Sequence, residues 1–123
     1  MANKLIFTGF LVVLLDQITK FWMENYHSVT HNYGAAFGLF QGGRILFILV
    51  GILVLYLIYK WRNSYNNFAL GLLLGGVIGN LIDRVVRVYV VDFIDLGFWP
   101  SFNVADSAAT VGVILLIYYH WKD

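Results

Sequence analysis

The chain has 123 residues, of which 60% are hydrophobic and only 12% are charged, whereas soluble domains carry about 25% charged residues. So many apolar side chains in a chain of this length predict one domain that is dissolved in lipid rather than in water. The net charge of +1 gives no reason to expect nucleic acid, and the absence of cysteine excludes disulfides, thiol nucleophiles and thiolate metal sites.

Four apolar stretches, each near the ~20 residues that cross a bilayer, are predicted to be transmembrane helices. They cover about 5–23, 43–59, 68–91 and 104–121 within a single membrane-embedded domain, residues 1–123. The first stretch carries Asp16, Lys20 and Glu24 at four-residue intervals, so these side chains share one helix face. We favour a buried brace between helices over a direct role in chemistry for this face.

The third stretch carries two kinds of pattern in succession. Gly71, Gly75 and Gly79 form a small-xxx-small face that lets another helix approach closely. Such a face can pack within one chain or between chains, and a monomer is the simplest expectation. A polar face then follows at i, i+3, i+4 and i+7 spacing, and it is expected to point into the bundle because charges are costly in lipid. It consists of Asn80, Asp83, Arg84 and Arg87.

Three aspartates are candidates for chemistry. Neighbouring cations favour the ionised form of Asp83, which suits a structural role. Asp92 is predicted to lie near a helix C-terminus, where the macrodipole disfavours negative charge and raises the pKa. Asp106 begins the fourth stretch, where Asn103 and Asp106 also resemble a helix cap, and the spacing leaves both roles open. A helix hairpin would bring Asp92 and Asp106 together, and two carboxyls sharing a site retain a proton, as in aspartic proteases.

The distribution of basic residues predicts the orientation. Lys4, Lys60, Arg62 and Lys122 fall on one side of a four-helix arrangement, and an excess of Lys and Arg in short loops marks the cytoplasmic side. Both termini are therefore expected in the cytoplasm, and the Asp92–Asp106 pair on the extracytoplasmic side.

Five motifs run in order along nearly the whole chain. They are Asp16-Gln-Ile-Thr-Lys20, Asn32-Tyr-Gly-Ala-Ala-Phe-Gly38, Gly79-Asn-Leu-Ile-Asp-Arg84, Val-Val-Asp92-Phe and Phe102-Asn-Val-Ala-Asp106-Ser. Together they resemble the lipoprotein signal peptidases (signal peptidase II), bacterial membrane aspartic peptidases that process prolipoproteins. The fold that the resemblance implies is an all-α membrane protein with four transmembrane helices and a short extracytoplasmic amphipathic segment, in the bacterial inner membrane.

The resemblance also implies the roles of individual residues. Asp92 and Asp106 match the catalytic dyad of the family. Substrate-binding or dyad-supporting positions are matched by Asn32, Gly34, Asn80, Arg84, Asn103 and Ala105, and structural polar positions by Asp16, Lys20 and Asp83. The expected partners are membrane lipids and a diacylglyceryl-modified prolipoprotein, which is cleaved before its lipidated cysteine. No metal and no organic cofactor are expected.

One region departs from the family pattern, in which a longer insertion after the first helix forms a β-sheet cradle. Only 11 residues separate Lys20 from Asn32, so most of that cradle is expected to be missing. A non-catalytic binder of signal peptides or lipoproteins is therefore the main alternative to a peptidase. A proton-coupled transporter is a further one, because intramembrane charges also form relays. His27, His31 and His120 lack the spacing of a metal site.

Overall fold

The protein, represented by a computed structural model, is described over residues 2–34 and 41–122. Four long helices dominate it, and each is long and apolar enough to cross a membrane. In chain order the elements are α1 (Ala2–Tyr26), β1 (Thr30–Asn32), α2 (Arg44–Trp61), α3 (Asn67–Ile82), a π-helical turn (Asp83–Arg87), β2 (Val90–Asp92) and α4 (Val104–Lys122). The expectation of four apolar helices is confirmed.

The third helix ends earlier than the apolar run suggests. A continuous helix to about residue 91 is predicted, but α3 gives way to the π-helical turn at Asp83, and Val88 then adopts a left-handed backbone with φ of 78°. The chain continues as the strand β2, so Asp92 does not lie at a helix C-terminus. Hydropathy does not reveal this change, because buried strand residues such as Val90 and Val91 are as apolar as helix residues.

A small antiparallel sheet lies beside the ends of the helices. β1 pairs with β2, with Thr30 opposite Asp92 and Asn32 opposite Val90. The connection between Lys20 and Asn32 is too short for a sheet of its own, yet it supplies one strand because the partner strand comes from beyond α3. The sheet therefore ties the segment after α1 to the segment after α3.

The glycine face of α3 packs within the chain. Cβ atoms added at Gly71 or Gly75 would lie 2.8 Å and 2.9 Å from α1 backbone oxygens. On another side of α3, a Cβ at Gly76 would lie 2.5 Å from the Ala105 carbonyl oxygen of α4. Glycine thus lets α3 approach α1 and α4 at backbone distance, which brings the polar residues of three helices together.

Gly79 is the position where this close packing meets the polar residues. A Cβ there would lie 2.4 Å from Asp16 Oδ2, so we expect Gly79→Ala to displace the Asp16 carboxylate and to cost about 1–3 kcal/mol of stability. Gly51→Ala is the matched control, because the nearest atom to its Cβ would be a flexible leucine tip, Leu81 Cδ1, at 3.3 Å, and Val77 Cγ1 would lie at an ordinary contact distance of 3.8 Å. Thermal unfolding in detergent should show a lower midpoint for Gly79→Ala alone. Equal midpoints for the two variants would contradict this account.

Candidate active site

Asp92 is held at the end of β2 by two side-chain amides. Only 2% of its surface is exposed. Asn103 Nδ2 donates to Asp92 Oδ1 at 2.9 Å, and Asn32 Nδ2 donates to Asp92 Oδ2 at 3.0 Å. Both carboxyl oxygens therefore have a fixed donor from a different part of the chain. The orientation of the carboxyl group is set before any ligand arrives.

Asn103 connects Asp92 to the start of α4. Its Oδ1 accepts from the backbone N–H of Asp106 at 2.7 Å, the geometry of a helix N-cap. The cap predicted at Asn103 is therefore present, with the side chain of Asn103 as the acceptor. The same side chain donates to Asp92. One residue thus contacts both aspartate positions, which keeps the two carboxyl groups in one site.

The two oxygens of Asp106 have different surroundings. Asn80 Nδ2 donates to Oδ1 at 2.8 Å. Among the residues that the structure describes, Asp106 Oδ2 is the one buried side-chain nitrogen or oxygen without a hydrogen-bond partner. A buried polar atom without a partner is costly. This oxygen is therefore available for a group that the described residues do not supply.

The pKa of Asp92 shows how strongly this site disfavours a second negative charge. Burial and the nearby Asp106 carboxyl raise the pKa of Asp92 from 3.8 to about 7, against the opposing effect of the Asn32 and Asn103 donors. Burial is the larger of these causes, because it removes the carboxylate from water. A carboxyl group in this position keeps its proton in a pH range where an exposed aspartate has lost it.

Lys20 lies at the centre of the buried polar network and is fully buried. Its Nζ donates to Asp16 Oδ2 at 2.7 Å and to Asn80 Oδ1 at 3.1 Å, and it lies 3.1 Å from Asp83 Oδ2. Because Lys20 offers only donors, Asn80 must turn its oxygen toward Lys20 and its amide nitrogen toward Asp106. Asn103 Nδ2 also donates to Asn80 Oδ1 at 3.0 Å, so the ammonium group and the Asn103 amide together set the direction of the hydrogen bond that Asp106 receives.

The carboxylates paired with Lys20 also fix the backbone near the candidate dyad. Asp83 Oδ2 accepts from the backbone N–H of Val91 at 3.0 Å, and Asp16 Oδ1 accepts from the backbone N–H of Ala105 at 2.8 Å. Val91 and Ala105 directly precede Asp92 and Asp106 in the sequence. These contacts match the predicted bracing positions of Asp16 and Asp83, and they give Ala105 a backbone role.

Arg84 and Gly34 form a second contact beside the site. Arg84 Nη2 donates to the Gly34 carbonyl at 2.9 Å, and the Gly34 N–H donates to Asn32 Oδ1 at 2.8 Å. This arrangement holds the Asn32 amide with its nitrogen toward Asp92. The rest of the Asn32–Gly38 motif, residues 35–38, lies outside the described residues.

Two glutamines take part in the network although the sequence gives them no assigned role. Gln17 Nε2 donates to Asp83 Oδ1 at 3.1 Å, and Gln17 Oε1 accepts from Arg87 at 3.0 Å. Gln41 Nε2 donates to Asn32 Oδ1 at 2.8 Å. The polar run 16–20 within an apolar helix is a signal that points to Gln17. Gln41 lies in a connection, where no periodicity marks it.

Two cavities reach the aspartates from different directions. One, of about 200 Å³, lies between α2, α3 and α4, and its lining includes Asn80, Arg84 and Asp106. The other, also about 200 Å³, lies above the small sheet, and its lining includes Asn32 and Asp92. The candidate site around Asp92 and Asp106 therefore opens into two cavities, one between the helices and one next to the small sheet.

Residues 8–122 match the family described as Signal peptidase (SPase) II. A lipoprotein signal peptidase of Syntrophomonas wolfei is 43% identical, over 87% of this chain and 85% of the relative. One of Caldanaerobacter subterraneus is 45% identical, over 87% and 88%. These two relatives are therefore not much longer than this chain.

The fold has counterparts among solved structures. Two bacterial membrane enzymes determined by the in meso method, at 2.3 Å and 1.9 Å resolution, superpose with TM-scores of 0.89 and 0.84. Both are 33% identical to this chain and cover 98% of it, and the chain covers 89% and 94% of their lengths. The matched sequence, the shared architecture and the motif order agree, and the chain belongs to the signal peptidase II family.

Proposed function

We propose that this protein is an aspartic endopeptidase that removes the signal peptide from diacylglyceryl-modified prolipoproteins, cutting before the lipidated cysteine. Family membership and the relatives' name, lipoprotein signal peptidase, support the substrate. The geometry around Asp92 and Asp106 supports the chemistry. The observation that carries the proposal is the unpartnered Oδ2 of Asp106, in a site where Asn103 links the two aspartates.

The proposed reaction needs one proton shared between two carboxyl groups. The ionised carboxyl takes a proton from a water molecule held between the aspartates, and the oxygen of that water attacks the scissile carbonyl carbon. The protonated carboxyl donates to the carbonyl oxygen. When the tetrahedral intermediate breaks, the carboxyl that took the proton from water gives it to the leaving amine and the C–N bond cleaves. The other carboxylate takes back a proton from a hydroxyl of the intermediate as the carbonyl re-forms. The pair titrates as a unit, so the proton belongs to the pair rather than to Asp92 or Asp106 alone.

The surrounding amides hold this pair in position. Asn32, Asn80 and Asn103 each direct a side-chain N–H at a carboxyl oxygen of the pair. Each amide is fixed in turn by another contact, so the donors are already arranged before substrate binds. Arg84 lines the cavity beside Asp106, and we assign it a contact with the substrate.

The protein is a bacterial inner-membrane protein with four candidate spans. We place both termini in the cytoplasm, because Lys4, Lys60, Arg62 and Lys122 would then lie on the side that favours basic residues. The dyad then faces the extracytoplasmic side, where lipidated precursors emerge from the membrane. The cavity between the helices would receive the signal peptide, and the cavity above the sheet would receive the mature chain.

A cleavage assay in detergent tests this function against the alternative of a non-catalytic binder. A lipidated prolipoprotein is incubated with the purified protein, and a gel shift reports loss of the signal peptide. Cleavage before the lipidated cysteine supports the peptidase. Stable capture of the precursor without any cleavage would support the binder instead. The intact set of contacts around Asp92 and Asp106 favours the peptidase.

The raised pKa of Asp92 predicts a pH dependence. Because the pair holds its shared proton up to about pH 7, kcat/KM should fall as pH rises through that value. Stability should change in the same range: the folded protein keeps a proton that the unfolded chain releases near its ordinary pKa of 3.8. The free energy of unfolding should therefore decrease between about pH 4 and pH 7 and level off above. A rate that stays constant to pH 9 would contradict the shared-proton mechanism.

A further inference from the structure

Gln41 is bonded at both ends of its side-chain amide, next to the small sheet. Its Nε2 donates to Asn32 Oδ1 at 2.8 Å, and its Oε1 accepts from the backbone N–H of Tyr33 at 2.9 Å. The next residue, Gly42, has φ of 86°, and its N–H donates to the Tyr33 carbonyl oxygen at 3.1 Å. The main chain of Tyr33 is thus bonded to two consecutive residues, which fixes the position of the exposed Gln41 side chain.

The contact with Gln41 falls on the oxygen of the amide that holds Asp92. Asn32 is buried, and its Nδ2 donates to Asp92 Oδ2 at 3.0 Å. Its Oδ1 accepts from the Gly34 N–H and from Gln41 Nε2, both at 2.8 Å. A turned-over Asn32 amide would place its nitrogen against these two donors and its oxygen against the Asp92 carboxyl. The two donors therefore favour the orientation in which Asn32 donates to Asp92.

We propose that Gln41 is a positioning residue for the candidate dyad, because it holds the Asn32 amide with its nitrogen toward Asp92. The inference rests on the proposed function. Gln41, Asn32 and Asp92 line the same cavity of about 200 Å³ next to the small sheet, so the glutamine acts beside the carboxyl that it positions. The buried network has the same arrangement at the other aspartate, where Lys20 donates to the oxygen of Asn80 and the Asn80 nitrogen donates to the carboxyl.

Loss of this orientation should change the titration of the aspartate pair. Burial raises the pKa of Asp92, and the hydrogen bond from Asn32 opposes this rise. If Asn32 lacks the donor from Gln41, its amide is held less firmly, and the hydrogen bond that favours the ionised carboxyl weakens. Asp92 would then keep its proton to a higher pH than in the wild type. A side chain that only filled space would not move this titration.

Gln41→Met tests the inference, because methionine has a similar length but cannot donate to Asn32. It is combined with Asn32→Ala, which lacks the amide, in a double-mutant cycle of kcat/KM on a lipidated prolipoprotein. Asn25→Met is the matched control. Asn25 is an exposed amide near the end of α1, and its described hydrogen bond goes to the Phe21 carbonyl of the same helix. This control should leave the rate unchanged.

We expect Gln41→Met to lower kcat/KM about three- to tenfold, the loss typical of one hydrogen bond, and to move the alkaline fall in rate to higher pH. Within Asn32→Ala, the same substitution should change kcat/KM by less than about twofold, because the group on which Gln41 acts is absent. An equal loss in both backgrounds, or an unmoved pH profile, would overturn the assignment while leaving the peptidase intact.

The pH dependence of unfolding separates this inference from the proposed function, because it needs no cleavage. The free energy of unfolding should decrease with pH until the folded Asp92 has lost its proton. The pH at which the unfolding midpoint levels off should therefore be higher in Gln41→Met than in the wild type. If the wild-type protein cleaves no prolipoprotein, the proposed function fails. Identical unfolding profiles of the two proteins would overturn the role of Gln41.

Discussion

Asp106→Asn should abolish prolipoprotein cleavage, with a loss of at least about 10³-fold in kcat, while the protein remains folded. General acid–base catalysis of this kind contributes 10²–10⁴-fold per group, and groups that act as a unit lose most activity when one is removed. The replacement is well tolerated sterically. The new amide oxygen can keep the hydrogen bond from Asn80, and the new amide nitrogen takes the position of Oδ2, which has no donor against it.

Asp92→Asn should be equally inactive but less stable. Both oxygens of Asp92 accept from amide nitrogens, of Asn103 and Asn32, so an amide nitrogen at either position would face another donor. Asn32 cannot turn over without cost, because its oxygen accepts from the Gly34 N–H. We therefore expect Asp92→Asn to lower the unfolding midpoint and Asp106→Asn to leave it nearly unchanged. The two variants thus separate loss of chemistry from loss of structure.

Asp95→Asn is the matched control for both variants. Asp95 is an exposed carboxyl in the segment between β2 and α4, and its only described hydrogen bond, from the Gly97 N–H, can also be accepted by an asparagine. Cleavage should remain at the wild-type rate. Residual cleavage by Asp106→Asn within tenfold of wild type would exclude the dyad mechanism, since an amide cannot serve as the proton carrier.

The positions of the polar residues explain why much of this site is predictable from the sequence. Charged side chains in apolar helices must face inward and find partners. The spacing of Asp16, Lys20 and Glu24 therefore predicts a brace between helices. In the structure Lys20 pairs with Asp16 and with Asp83 of the segment after α3, whereas Glu24 lies 3.4 Å from Arg87 instead. The glycine face of α3 predicts close helix packing in the same way, and it meets α1 within the chain. Both predictions rest on residue spacing within one helix and on the cost of placing charge in lipid.

Contacts between distant segments are not encoded in such local patterns. Asp83 directly follows the last residue of α3, Ile82, and its carboxylate accepts from the Val91 N–H in β2, a contact between residues eight positions apart. The pairing of β1 with β2 joins segments about 60 residues apart in three-residue strands, which are too short to show alternation. The double role of Asn103, as a cap and as a donor to Asp92, also appears only in three dimensions.

Lys20→Met should cause the largest loss of stability among single substitutions in this network. Lys20 and its two carboxylate partners, Asp16 and Asp83, are each fully buried. Removing one partner of a buried ion pair leaves uncompensated charge and costs about 3–5 kcal/mol. Asp83 retains Arg87 at 2.7 Å, but Asp16 has no other cation within salt-bridge distance among the described residues. Activity should fall as well, because Asn80 loses one of the two donors to its oxygen that turn its nitrogen toward Asp106, and only the Asn103 amide remains.

A second substitution shows whether Lys20→Met destabilises the protein through uncompensated charge or through lost packing. Lys20→Met combined with Asp16→Asn removes the uncompensated charge, and the asparagine oxygen can still accept from the Ala105 N–H. We expect the double variant to be more stable than Lys20→Met alone, which a double-mutant cycle of unfolding midpoints in detergent would detect.

Lys4→Met, at an exposed position of the same helix, is the control and should have little effect on stability. A double variant as unstable as the sum of the two single variants would show that packing, not charge, makes Lys20 necessary. Cleavage should stay low in the double variant even where stability recovers, because the lysine that orients Asn80 is absent in both.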